Sequence, residues 1–391
     1  MSKRRTAVVG AAILGALVTG ALYAPNAVQA DPAGQPNDVV GVGSDIMQNS
    51  LNFIADGLGA APGYNGSGNR NRLFSYDASG DANGRKAGTD PALGASVALN
   101  PSVILRAGTS PIQRPNGGGT GLSALIADGQ GGVSANKISF ARSPNLPTAA
   151  QQTQAQANLG SLLHSVQIGT DIDYIATAST TNAPANLTAD DLVKIYTGVY
   201  TKWSDVPNYA GPAPTESIKP LIPQVGAGMR TIFLNGLKSA NGGNTVNPTA
   251  GINVQQNDPT AITSLSAADK PNAIVPFPKA RYDLLNSGYF KNPDVAYSVA
   301  APAAALSAAG VDLHTGAGSF STQFGYYIIF RESDYASNTA WQPGGTLNWV
   351  QTLFFNPGGP KPYVDTAAGK SLLTSAGITP TYLDRGNDST P

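Results

Sequence analysis

The sequence has 391 residues, with 45 glycines, 29 prolines and no cysteine. The lack of cysteine excludes disulfides, thiolate metal ligands, a cysteine nucleophile and a lipid-modified cysteine anchor. Charged residues make up 12% of the chain, and basic and acidic residues balance at 24 each. This balance is not that of a general nucleic-acid binder, so we expect no nucleic-acid partner.

The first 30 residues have the features of a cleavable export signal. Lys3, Arg4 and Arg5 precede an apolar stretch from about Thr6 to Ala24, and Val28-Gln29-Ala30 supplies a small-x-small cleavage pattern. An uncleaved membrane anchor is the alternative, but the cleavage pattern follows the apolar stretch directly. Cleavage would leave 21 basic and 24 acidic residues, a net charge of about −3. We expect a secreted, extracellular or periplasmic protein without a membrane anchor.

A unit of apolar strand, glycine-rich turn and amphipathic helix recurs three times. In chain order, the turns are Gly41-Val42-Gly43-Ser44, Gly117-Gly118-Gly119-Thr120 and Gly226-Ala227-Gly228. Alternating strands and helices predict an α/β fold with largely parallel sheets. Ligands of such folds bind beyond the carboxyl ends of the strands, where these turns are expected. Because the mature chain exceeds the size at which one core usually stops growing, we also expect two domains.

Each unit predicts its own strand and helix. The strands are expected at Val39-Val40, Val103-Ile104-Leu105 and Ile218 to Ile222. In the first unit Asp45 and Gln48 have capping-box spacing at the start of the helix.

The remaining segments predict further elements. The polar segment 63–94 is expected to be a long surface insertion, and Val166 to Ala178 a strand that connects the domains. A helix capped by Thr188, a strand at Tyr326 to Phe330 and a helix from Leu347 to Phe355 are expected after it.

The glycine-rich turns have the properties of an anion site. A helix N-terminus presents unpaired backbone N–H groups, and glycine lets a ligand approach the backbone closely. Arg114, Arg142 and Arg230 are near the turns in sequence, and arginine forms bidentate bonds to oxyanions. The alternatives are three unrelated loops and ordinary surface salt bridges. Arg142, together with Ser143, is the strongest candidate because both directly follow a predicted strand.

A secreted hydrolase is a competing hypothesis. The chain has two histidines, and His164 lies in an apolar run, which favours a structural role. His314 lies in a glycine- and alanine-rich loop. The sequence has no histidine pair at metal-ligand spacing and no Gly-x-Ser-x-Gly elbow, although a triad need not be contiguous in sequence.

One segment resembles a known family closely. Asn186 to Gly198, followed by Lys202-Trp203-Ser204-Asp205-Val206, is similar to a characteristic segment of the phosphate-binding proteins of bacterial ABC transporters. The three glycine-rich turns, Ser139 to Ser143 and Asn272 to Pro276 stand around it in the family's order. The resemblance covers nearly all of the mature chain.

The resemblance implies a type II periplasmic-binding fold of two α/β lobes that close over an anion, without catalysis, metal or cofactor. Lobe 1 would comprise residues 31–168 and 300–391, and lobe 2 residues 169–299. The expected ligand-binding residues are Ser44, Asp45, Gly119, Thr120, Arg142, Ser143, Gly226, Ala227, Gly228 and Arg230. An ABC transporter permease is the partner that the resemblance implies. Because a lipid-modified cysteine is absent, scavenging of solute outside a transporter complex is the alternative to uptake.

The third turn departs from the family's pattern. Pro223, Ala227 and Met229 stand where the family usually has arginine, serine and threonine, and Pro144 replaces an aspartate. We therefore expect a secreted protein that binds a small oxyanion, phosphate first, with another oxyanion or a small polar organic ligand second. An extracellular interaction module that binds no anion and a phosphate-ester hydrolase remain the alternatives.

Overall fold

The central feature of the fold is one mixed β-sheet, seen in a computed structural model. The model describes residues 33–68, 71–78, 89–90, 95–96, 102–129, 137–207, 209–211, 216–289, 308–336 and 347–389. The predicted export signal lies outside these ranges. Among the described residues, no helix combines the length and apolar character needed to cross a membrane.

The sheet has ten strands. They are β1 (Val39–Gly43), β2 (Leu73–Ser75), β3 (Phe140–Ser143), β4 (Leu163–Ala178), β5 (Lys219–Pro223), β6 (Ile252–Val254), β7 (Ala273–Pro278), β8 (Val311–His314), β9 (Ser321–Arg331) and β10 (Thr379–Gly386). Their order is β6-β5-β7-β4-β9-β3-β1-β2, and β8 and β10 also pair with β4. The pairs β1–β2, β1–β3, β5–β6 and β5–β7 are parallel, whereas β4 and β9 pair antiparallel with their neighbours. The α/β class is as predicted, but the expectation of largely parallel sheets is wrong, because four strand pairs of this sheet are parallel and five are antiparallel.

Two long strands join the two parallel parts of the sheet. β4 has 16 residues and β9 has 11. β4 pairs with β9 from Leu163 to Tyr174 and with β10 near its amino-terminal end. Its carboxyl-terminal end, from Asp173 to Ala178, pairs with β7 and β8. The strand predicted at Val166 to Ala178 is thereby confirmed. The division into lobes at residues 168 and 300 stays a prediction.

Helices follow the strands on both parts of the sheet. They are α1 (Gln48–Asp56), α2 (Gly118–Ala127), α3 (Ala149–Leu159), α4 (Ala189–Tyr196), α5 (Gly228–Lys238), α6 (Thr260–Thr263), α7 (Lys279–Asn286), α8 (Glu332–Ala336), α9 (Trp349–Leu353) and α10 (Ala367–Ser375). Thr188 caps α4 as expected, because its hydroxyl accepts from the Asp191 N–H at 3.2 Å. Short 3-10 helices occupy Asp45–Met47, Tyr64–Ser67, Trp203–Asp205, Lys270–Asn272 and Tyr363–Asp365.

Buried apolar side chains hold these helices against the sheet. Leu51 and Ile54 of α1 and Phe233 of α5 are completely buried, as is Trp203 after α4. Burial of a large apolar side chain stabilises the folded state by roughly 1.5–3 kcal/mol. The helices that follow the first and third glycine-rich turns are therefore fixed by packing, and their N-termini have defined positions.

Three expectations for the first third of the chain are wrong. The capping box of Asp45 and Gln48 does not form, because the chain first makes the 3-10 helix Asp45–Met47 and the carboxylate bonds elsewhere. The strand expected at residues 103–105 is only Ser102–Val103, which pairs with Ile112–Gln113 outside the main sheet. The start of the 63–94 segment is not a surface insertion, since β2 pairs with β1 in the sheet.

Candidate ligand-binding site

The first glycine-rich turn is fixed by the neighbouring strand. Gly43 and Arg142 are register partners in the parallel pair β1–β3, and the Ser44 N–H donates to the Arg142 carbonyl at 3.0 Å. Gly43 has a φ of +113°, and a Cβ there would lie 2.5 Å from that carbonyl oxygen. Only glycine fits this conformation and this close approach.

The second turn packs directly on the first. A Cβ on Gly121 would lie 2.3 Å from the Cα of Gly43, so the start of α2 and the end of β1 are in backbone contact. The Thr120 hydroxyl donates to the Gly117 carbonyl at 3.0 Å, within its own turn. Gly119 and Thr120 are exposed, whereas Gly117 and Gly118 are buried.

The third turn meets the second across Pro144. A Cβ on Gly118 would lie 2.7 Å from Pro144 Cδ, and one on Gly228 would lie 2.3 Å from Pro144 Cγ. A Cβ on Gly117 would lie 3.2 Å from the Gly226 carbonyl oxygen. The structure therefore brings the three turns together, with the N-termini of α2 and α5 on either side of one proline.

Arg142 is completely buried behind the first turn. Its guanidinium donates to the carbonyls of Ser44 at 3.2 Å, Gly43 at 3.1 Å and Tyr76 at 2.7 Å, and to the Ser75 hydroxyl. These bonds fix the ends of β1 and β2. Arg142 therefore places a positive charge beside the turns while its bonds go to the protein.

Asp45 is also buried, with 6% of its surface exposed. Its carboxylate accepts hydrogen bonds from the side-chain amides of Gln256 and Asn257, the latter at 3.0 Å. These partners follow β6, so the carboxylate connects the first turn to the part of the sheet that carries the third.

The other predicted polar residues make local bonds. The Ser143 hydroxyl donates to the Asn145 carbonyl at 2.7 Å. Arg114 donates to the Asp77 carbonyl at 2.8 Å. Arg230 donates to the Pro223 carbonyl and to Asn253 Oδ1, each at 2.9 Å, and partial burial lowers the pKa of its guanidinium. Ala227 is buried and Gly226 exposed.

Sequence reasoning missed a group of side-chain amides between the turns, which we call the amide cluster: Asn116, Gln224, Gln255, Gln256 and Asn257. The Met229 N–H, in the first turn of α5, donates to Gln256 Oε1 at 3.4 Å, and the Gln256 N–H to Gln224 Oε1 at 3.0 Å. Asn116, beside the N-cap of α2, donates to Gln255 Oε1 at 3.5 Å. The signal in the sequence was the polar run 255–257 directly after the short strand β6.

Several atoms of the amide cluster are buried without a hydrogen-bond partner. They are the donors Gln224 Nε2 and Gln255 Nε2 and the acceptors Asn116 Oδ1 and Asn257 Oδ1. Asn257 also has a φ of +61°, the only positive φ of a non-glycine residue in the part of the chain that the structure describes. Buried polar atoms without partners and strained backbone both concentrate at functional sites.

The described residues contain no candidate metal centre. Among them, no group of three or more His, Cys, Asp or Glu side chains could hold an ion. His164 contacts Glu332 at 3.2 Å and Asp384 at 2.9 Å and packs on Phe330 and Phe355, which favours the structural role. His314 contacts Thr177 at 3.1 Å, and burial lowers the pKa of its ring.

A mixed sheet that gathers helix N-termini beside its strand ends is the architecture of a ligand-binding α/β protein. A family model described as a PBP superfamily domain, the superfamily of periplasmic binding proteins, matches residues 107–336. The chain belongs to this family, which confirms the predicted periplasmic-binding fold.

Solved structures of phosphate-binding proteins are similar over most of the chain. A protein described as a phosphate ABC transporter substrate-binding protein from Clostridium perfringens, with bound phosphate, is 11% identical, covers 88% of this chain and 100% of its own, and has a TM-score of 0.49. An ABC-type phosphate transport receptor from Vibrio cholerae is 12% identical, with 88% and 99% covered and a TM-score of 0.44. No curated protein matches this chain.

Proposed function

We propose that this protein is an exported solute-binding protein that holds a small oxyanion, phosphate first, where the N-termini of α2 and α5 meet the turn after β1. The observation that carries the proposal is the contact of Gly117 with the third turn, where a Cβ would lie 3.2 Å from the Gly226 carbonyl oxygen. Three turns that open helices in one place concentrate unpaired N–H donors and partial positive charge.

The ligand-binding groups in this proposal are largely backbone N–H groups. Gly119, Thr120 and Gly228 are at or just after the turns and would contribute them. Ser44, whose N–H already donates to the Arg142 carbonyl, would contribute its hydroxyl. Arg142 would act from behind the turn, because its charge is buried while its bonds go to protein oxygens. Asp45, which is held by two amides, would orient the segment after β6 rather than repel the ligand directly.

Membership of a family of binding proteins supports the proposed transport role. The family is one of binding proteins, and the receptor from Vibrio cholerae is described as a phosphate transport receptor. An ABC transporter permease is the corresponding partner for this chain, with the segment 1–30 directing export. A protein that binds an anion and releases it unchanged requires no catalytic residue.

Isothermal titration calorimetry of the purified mature chain with phosphate, sulfate and molybdate tests the proposal. We expect saturable binding of at least one of these anions and an affinity that falls when the turn is distorted by Gly228→Ala. Absence of binding to every anion would overturn the proposal and favour an interaction module. Catalytic release of phosphate from a phosphate ester, at a saturating concentration of that ester, would instead indicate a hydrolase.

A further inference from the structure

The amide cluster points to the chemical class of the ligand. We propose that it recognises the hydroxyl groups of an organic phosphate ester, while the phosphate group is bound by the turns. This inference rests on the function proposed above and assigns the part of the ligand that the helix N-termini do not contact. Inorganic phosphate would fill only the anion part of such a site.

The first argument is the position of the cluster. Two members bond to the beginnings of helical segments: Gln256 to Met229 of α5, and Asn257 to Asp45 at 3.0 Å. A third, Asn116, directly precedes the N-cap of α2. A ligand anchored on these N-termini would therefore have the amide cluster as its immediate neighbour.

The second argument is burial without partners. Gln224, Gln255 and Asn257 are only 5%, 7% and 6% exposed, yet each has a side-chain atom without a hydrogen bond. A buried polar atom without a partner costs about 1–3 kcal/mol, and such atoms are rare in folded proteins. Three such side chains in one place indicate that a bound molecule supplies the missing partners.

The third argument is the chemistry of the unpaired atoms. Two are donors, Gln224 Nε2 and Gln255 Nε2, and two are acceptors, Asn116 Oδ1 and Asn257 Oδ1. The phosphate dianion offers acceptors and one proton, so it satisfies the donors but can donate to only one of the two acceptors. A hydroxyl group both donates and accepts. Exchanging the oxygen and NH₂ group of Gln224 or Asn257 would break their bonds to the Gln256 N–H and to Asp45. Exchanging those of Asn116 and Gln255 together would still leave one donor and one acceptor unpaired.

The fourth argument is the charge of the described site residues. Arg142 bonds to protein oxygens, Arg230 bonds to Pro223 and Asn253, and Asp45 is held by amides. The amide cluster itself is uncharged. Neutral amides favour hydroxyl groups over a second ionised group, for which burial without a counter-charge is costly.

The test compares three ligands by calorimetry: inorganic phosphate, glycerol 3-phosphate and glycerol. We expect glycerol 3-phosphate to bind about tenfold more tightly than phosphate, since the added hydroxyl groups contribute one or two hydrogen bonds. Gln255→Met removes the amide at similar volume. It should abolish this preference, measured as the ratio of the two affinities.

The matched control is Gln152→Met. Gln152 is 8% exposed and bonds to the Leu163 and Asn387 carbonyls, on α3 rather than at the turns. It should lower thermal stability without changing the ratio of the two affinities.

The outcomes separate the two proposals. Equal affinities for phosphate and glycerol 3-phosphate, or a preference that survives Gln255→Met, would overturn the assignment of the amide cluster and leave the oxyanion proposal intact. Binding of glycerol without binding of either phosphate compound would overturn the oxyanion proposal itself. Thermal shift on each variant verifies that it is folded before its affinity is interpreted.

Discussion

The carboxylate of Asp45 accepts a hydrogen bond from the side-chain amide of Asn257, with 3.0 Å between Oδ2 and Nδ2. The two residues are 212 positions apart in the chain. Asp45 opens the helical segment after β1, and Asn257 follows β6 at the opposite edge of the sheet order. This bond, with that of Gln256 to the same carboxylate, connects the two parallel parts of the sheet at the proposed site.

Asp45→Asn should destabilise the protein. The new side-chain NH₂ group would face the amide donors of Gln256 and Asn257, which leaves at least one buried donor unpaired. We expect a loss of about 1–3 kcal/mol in the free energy of unfolding, measured by urea denaturation. The control is Asp190→Asn, which breaks an exposed pair with Lys194 and should cost under about 0.5 kcal/mol. Equal effects of the two substitutions would contradict the role of Asp45.

Gly228→Ala should be much more damaging than Gly119→Ala. A Cβ on Gly228 would lie 2.3 Å from Pro144 Cγ, whereas one on Gly119 has its nearest neighbour, the Gly226 carbonyl oxygen, at 3.4 Å. Neither glycine has a positive φ, so the comparison isolates the steric effect. We expect overpacking to cost about 1–3 kcal/mol at Gly228 and little at Gly119, by thermal or chemical denaturation. A stable Gly228→Ala protein with unchanged anion affinity would show that the turns do not meet as described.

Arg142→Lys should destabilise the fold even though the charge is retained. A lysine cannot reproduce the separate bonds of the guanidinium to the carbonyls of Gly43, Ser44 and Tyr76. Loss of one or more bonds to a buried charge corresponds to roughly 2–4 kcal/mol. Arg385→Lys is the control, because Arg385 is partly exposed and pairs with the exposed Asp388 at 2.9 Å. Full stability of Arg142→Lys with lost anion binding would instead place the guanidinium on the ligand.

The stability of the protein should depend on pH through two carboxyl groups of β4. Burial raises the pKa of Asp171 from 3.8 to about 6, against the opposing hydrogen bonds from Tyr326, Ile172 and Ala280. Burial, and then the charge of Asp171, raise the pKa of Asp173 well above its usual value. Both shifts mean that folding favours the protonated carboxyl groups.

The contribution of Asp171 is complete below pH 4 and is lost as the pH rises through about 6. A shift of this size corresponds to about 3 kcal/mol. Asp171→Asn removes this titration. The unfolding free energy of the wild type should therefore fall by about that amount relative to the variant between pH 4 and pH 7. A constant difference over this range, measured by urea denaturation, would refute the assignment.

Much of the fold could be predicted from local patterns. The strand from Val166 to Ala178, the capped helix after Thr188 and the helix after Gly228 all form as expected, because strand composition, capping residues and helical periodicity act over short distances. The strand expected at residues 103–105 was wrong because three apolar residues do not decide which sheet they join.

Contacts between residues far apart in the chain determine the hydrogen-bond partners in the candidate site. The sequence by itself determined that glycine-rich turns open α2 and α5, since this follows from residue type and spacing. Only the tertiary structure decided that Asp45 binds amides more than 200 positions away instead of capping its own helix, and that Arg142 bonds to backbone carbonyls. The physical reason is that a buried polar group takes its partners from whatever the folded sheet brings within 3 Å or so, and spacing along the chain does not encode that neighbourhood.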